Sequence, residues 1–89
     1  MKHVSIRIYG KVQGVFFRVS TKEKADELGI HGTVRNENDG SVAIEAEGGD
    51  ETVGKFIEWC QKGPRLAVVK RCEVTERELR YFKGFFIVR

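Results

Sequence analysis

Eighty-nine residues, 40% hydrophobic and 33% charged, give a chain with room for one core and exclude a disordered or fibrous one. The net charge of +3, from 16 basic and 13 acidic side chains, is scattered without a long run of like charge, so it does not call for nucleic acid. No stretch is long and apolar enough to span a membrane, and the N-terminus lacks a signal-like apolar run. The expectation is a cytoplasmic, monomeric protein of one domain, residues 1–89. Cys60 and Cys72 lie outside any C-x-x-C pair, and His3 and His31 are isolated, so no metal and no cofactor is expected.

In chain order, Val4, Ile6 and Ile8 alternate with Ser5, Arg7 and Tyr9, which predicts a first strand with one buried face. Phe17, Thr21, Lys24, Ala25 and Leu28 then fall on one side of a helix that Gly29 stops. Ser20-Thr21-Lys22-Glu23 reads as a capping box that would start this helix near Thr21. A start nearer Phe17 is preferred, because Ser20 and Glu23 are tolerated in a first or second turn. Residues 30–37 form a second strand, with Gly32, Val34 and Asn36 on one face. Asn38-Asp39-Gly40 is a turn signal, and residues 41–47 alternate as a third strand, which makes a hairpin. Asp50 is the expected N-cap of a second helix, whose stripe Val53, Phe56, Ile57 and Cys60 ends at Gly63-Pro64. A longer strand over 67–76, a polar loop over 77–83 and a short strand over 84–88 complete the order.

The order β-α-β-β-α-β with a terminal strand predicts an α+β, ferredoxin-like two-layer sandwich. Its sheet should be mainly antiparallel, with both helices on one face. The loop Gly10-Lys11-Val12-Gln13-Gly14-Val15-Phe16-Phe17-Arg18 joins the first strand to the first helix. Two glycines let such a loop turn tightly, and its N–H groups can converge on an anion beside the helix N-terminus. Arg18 adds a planar fork that fits two oxygens of one phosphate. On spacing alone, an ordinary tight turn with a solvated arginine is the simpler reading.

This nine-residue run resembles the N-terminal signature of the acylphosphatases. It is not a P-loop, since no Gly-Lys-Ser/Thr follows the glycines. The hairpin run from Gly32 to Val42, with Gly48 beyond it, resembles the family's second signature, and the resemblance extends to Gly63-Pro64 and Phe85-Phe86-Ile87. It implies hydrolysis of small acyl phosphates to carboxylate and inorganic phosphate without a metal. By position, Arg18 would bind the phosphoryl group and Asn36 would hold the attacking water. The backbone of Gln13, Gly14, Val15, Phe16 and Phe17 would form the cradle. Asn is disfavoured within a strand, which strengthens a functional reading of Asn36.

One position departs from the family, since Thr33 stands where an aromatic residue is usual. Alternation places Thr33 on the face opposite Asn36, so it touches packing and efficiency rather than a catalytic group. It is the one feature that favours a catalytically idle binding domain. An RNA-recognition module would need aromatics on its central strands, and a copper carrier would need paired cysteines in the first loop. Neither pattern is present. An acylphosphatase-like domain serving a carbamoyl-transfer protein would sit in a much longer chain.

Overall fold

The computed structural model describes residues 1–89, and its elements follow in the predicted order. They are β1 (Lys2–Lys11), α1 (Phe17–Leu28), β2 (His31–Asn36), β3 (Val42–Gly48), α2 (Asp50–Lys62), β4 (Val68–Arg77) and β5 (Phe85–Ile87). The five strands form one sheet in the order β4-β1-β3-β2-β5, antiparallel throughout except for the parallel pair β2–β5. Both helices pack on the same face, which gives the two-layer α+β, ferredoxin-like arrangement.

Alternation builds that core. Val4, Ile6, Ile8, Val34, Val42, Ile44 and Ala46 all turn toward the helices and are buried. From the helix side, Phe17, Ala25, Val53, Phe56 and Cys60 meet them. Phe56 lies within 6.1 Å of the Phe85 ring and 6.4 Å of Trp59, and Phe17 lies 5.9 Å from Trp59. Trp59 is thus half-buried beside the apolar stripe of α2, as its sequence position predicts. Burial raises the thiol pKa of Cys60 well above its usual value, and that of Cys72 to a lesser degree. The pair serves packing rather than chemistry.

One boundary needs correction. Asp50 is the first residue of α2, and Gly49 in an extended conformation is its N-cap. The carboxylates of Asp50 and Glu51 therefore act on the helix dipole from inside the first turn, not as a side-chain cap. α1 starts at Phe17, as the sequence reading prefers, and not at the capping box near Thr21. Thr21 is buried within the helix, and its hydroxyl donates back to the carbonyl of Phe17 at 2.7 Å.

β1 shifts register against β4 between Tyr9 and Gly10, and this bulge aims the chain into the following loop. Gly10 has φ 133°, and a Cβ there would stand 2.1 Å from the carbonyl oxygen of Val68. Only glycine fits this approach.

On the far face of the sheet, residues 78–83 run as a strap that delivers β5 to the edge of β2. Glu47 holds it. This carboxylate is buried and accepts backbone N–H bonds from Arg80 at 2.6 Å, Tyr81 at 3.1 Å and Phe82 at 2.9 Å. Burial works to raise its pKa, but the three N–H donors and nearby His3 outweigh it and hold the pKa below the usual value. His3 adds a second tie, with Nδ1 donating to the carbonyl of Glu78 at 2.7 Å and Nε2 2.7 Å from a Glu45 carboxylate oxygen. Beyond the strap, Gly32 N–H donates to Gly84 O at 2.8 Å and Val88 N–H to Val34 O at 2.9 Å, seating β5 against β2.

Candidate active site

The loop between β1 and α1 turns at Gly14, which has φ 75°, and then at Phe16, which has φ 62° and ψ 24°. Val12 and Val15 are buried and anchor the loop from beneath, and buried Phe17 fixes the start of α1. The N–H groups of Gln13, Gly14, Val15 and Phe16 donate to no backbone carbonyl. The N-terminus of α1 adds to this set. It has no side-chain cap and no acidic residue in its first turn.

Arg18 follows immediately, half-buried, with no carboxylate within ion-pair distance. Its guanidinium is therefore left free beside a helix N-terminus that carries no acid of its own.

Asn36 is the last residue of β2 and pairs across the hairpin with Val42. Its Oδ1 is buried and has no hydrogen-bond partner. An amide oxygen left unpaired in the interior costs free energy unless something from outside the chain completes it. Arg18 and Asn36 line one cleft of ≈ 430 Å³, together with Gly14, Phe16, Phe17 and Val19. Its remaining walls are Val12, Ile87 and Arg89.

Of the seven residues the sequence nominates, five meet in this cleft, and Gln13 and Val15 do not line it. The Gln13 side chain turns to the hairpin, where Nε2 donates to Glu37 O at 2.8 Å and to Ser41 O at 2.9 Å. It clasps the loop before Arg18 to the turn after Asn36. The turn is itself tied, since Asp39 accepts from the Ser41 N–H at 2.9 Å and from the Ser41 hydroxyl at 2.5 Å. Those two bonds, the hydroxyl first, draw the Asp39 carboxyl below its usual range.

Gln13 as a clasp escapes the sequence reading, because a backbone role hides the side chain. Ile87 escapes it as well, because nothing in a three-residue strand announces its parallel partner. Thr33 pairs with Glu45 and lines a larger cleft of ≈ 770 Å³ on the opposite face, under the strap. The conspicuous polar groups there already have partners: His3, Glu45, Ser5 and Arg77 bond among themselves or to the strap. The smaller cleft is the one with unpartnered chemistry.

A family model, "Acylphosphatase", matches residues 4–87. The chain belongs to the acylphosphatase family. It is 47% identical over 90 residues to an acylphosphatase of Methylococcus capsulatus, covering 100% of this chain and 98% of that one. It is 48% identical over 83 residues to the acylphosphatase of Thermococcus kodakarensis, covering 93% and 91% of the two chains. The crystal structure of the Bacillus subtilis acylphosphatase superposes with a TM-score of 0.96 at 37% identity, over 100% of both chains. Acylphosphatase activity, hydrolysis of the carboxyl–phosphate bond of an acyl phosphate, is the function of this chain.

Proposed function

We propose that the cleft between the loop 13–17 and the end of β2 performs this hydrolysis on small acyl phosphates, without a metal, with Arg18 and Asn36 as its two working side chains. The observation that carries the proposal is the buried, unpartnered Oδ1 of Asn36 in the same cleft as the unpaired guanidinium of Arg18. Phosphoryl transfer asks mainly for positioning and charge stabilisation. Arg18 meets two phosphoryl oxygens with its fork, and the amides of Gln13 to Phe17 meet the others. The N-terminal dipole of α1 adds to both.

Water attacks phosphorus as the bond from phosphorus to the acyl oxygen breaks. The bonding electrons leave with a carboxylate, whose conjugate acid has a pKa near ~4, so no side chain is needed to protonate it. An amide is too weak a base to take the water proton. Asn36 therefore orients the water by accepting one of its hydrogens at Oδ1, and the proton passes to a phosphate oxygen or to solvent. Alkyl phosphate monoesters, which expel an alkoxide, lack the acid they need in this cleft.

The test is phosphate release from acetyl phosphate by the purified protein in excess EDTA, with Asn36→Ala beside wild type. Wild type should turn over, and Asn36→Ala should lose roughly 10²–10³ in kcat while inorganic phosphate inhibits it about as well. Normal turnover by a folded Asn36→Ala, or activity that disappears with EDTA and returns with a divalent ion, would refute the proposal.

A further inference from the structure

The hairpin turn after Asn36 holds its own shape. Glu37 N–H donates to Ser41 O at 2.9 Å, and Gly40 N–H donates to Glu37 O at 3.1 Å. Asp39 ties Ser41 from within the turn. Arg7 of β1 donates to Ser41 Oγ at 3.2 Å and stands 3.7 Å from the carboxylates of both Glu37 and Asp39. The turn therefore needs nothing from the loop before α1 to keep its conformation.

Gln13 nevertheless commits both hydrogens of its side-chain amide to that turn. Nε2 faces two carbonyls, Glu37 O at 2.8 Å and Ser41 O at 2.9 Å, and has one hydrogen for each. No other hydrogen bond joins residues 12–16 to residues 36–42. Buried Val12 and Val15 already seat the loop on the core, so the loop does not need Gln13 for that. What the two bonds set is a separation. On one side are the N–H groups of the loop with Arg18 behind them, and on the other is Asn36, one residue before Glu37.

In the hydrolysis proposed above, the phosphoryl group lies on the first side and the attacking water on the second. Their separation is the gap that the water oxygen must close on phosphorus, and a displacement of about 1 Å can cost on the order of 10² in rate. We infer that Gln13 is a positioning residue: its side-chain amide holds the water at Asn36 in line with the phosphoryl group on the loop, and so governs kcat rather than phosphate affinity. This rests on the hydrolysis reading and adds to it a side chain that does not itself line the cleft.

The experiment is a double-mutant cycle on acetyl phosphate hydrolysis, with Gln13→Met and Gln13→Asn each made alone and together with Asn36→Ala. Met keeps the reach of Gln without its donors, and Asn keeps the donors a methylene short of the carbonyls. Each single variant should lose roughly 10- to 100-fold in kcat, while its inhibition constant for inorganic phosphate stays within about two-fold of wild type. In the Asn36→Ala background, where no side chain holds the water, the same substitutions should cost less than about three-fold. A side chain that merely stabilised the fold would cost the same factor in both backgrounds, and that result overturns the inference. So does wild-type kcat in both folded single variants. Phosphate inhibition that weakens in step with kcat overturns it too, because Gln13 would then shape the anion cradle and not the approach of water. Normal turnover by Asn36→Ala brings down the hydrolysis reading itself, whereas an impaired Asn36→Ala with no coupling in the cycle removes the role of Gln13 alone.

Discussion

The two helices of this fold begin in opposite ways. α2 starts after Gly49 with Asp50 and Glu51 in its first turn, so its own carboxylates answer the positive end of its dipole. α1 starts after a left-handed Phe16 with no side-chain cap and no acid, and an arginine is its second residue. Both helices pack on the same sheet, so the difference is not required by the fold. A helix start that only holds structure is neutralised from within. The start of α1 is left bare, and in the proposed function the phosphoryl group of the substrate completes it.

Substitutions at three positions would break or sharpen that contrast. The largest effect should come from Arg18→Ala, which removes the charge from the bare start. A loss on the order of 10³ in kcat/KM, roughly 4 kcal/mol, is expected. Phosphate should cease to be an effective competitive inhibitor, and Arg18→Lys should recover little because a point charge cannot replace the fork. If phosphate inhibits folded Arg18→Ala as strongly as wild type, the contrast has no functional meaning.

Next in size is Val19→Asp, which gives α1 the kind of first-turn acid that α2 possesses. The acid should stabilise the free protein by about 0.3–1 kcal/mol, seen as a raised thermal midpoint, and weaken phosphate binding at the same time. Opposite signs in the two measurements are the signature. A variant that gains stability and binds phosphate as before would show that the helix terminus is not the anion site.

The smallest effect belongs to Asp50→Asn, which takes one charge from the α2 start. It should cost a few tenths of a kcal/mol up to about 1 kcal/mol of stability in denaturant unfolding. Its kcat/KM should remain that of wild type, since Asp50 lies outside the cleft.

Much of this arrangement was legible from alternation and punctuation. The strand period placed Asn36 on the helix-facing side with Val34, and Asn38-Asp39-Gly40 fixed the hairpin that carries it. Gly29 and Gly63-Pro64 ended the helices where the structure ends them. Two kinds of feature were not legible. The first kind depends on long-range side-chain contacts: alternation in β3 gives no sign that Glu47 is buried under the strap and accepts three of its N–H groups. The second kind depends on the partner of a short strand. β5 lies parallel to β2 because the strap carries it across the sheet, and only that crossing brings Ile87 to the cleft. Local pattern reports what a residue does within its own element. It is silent on which distant backbone groups a carboxylate or an amide will claim.

The strand order has a consequence for how the molecule reaches this state. β1 pairs with β3 and with β4, so Ile6 meets Ile44 on one side and Val74 on the other. Its nearest neighbour in sequence among the strands, β2, is not beside it in the sheet. Only the β2–β3 hairpin can form from local contacts. Every other strand pair closes a long loop, and the entropy of closure is lost before the buried contacts repay it. Folding should therefore be slow for a chain of this size, and Arg18 and Asn36, on separate elements, come together only once the central strand is in place. Catalytic competence is then a late event in folding, gained with the whole sheet.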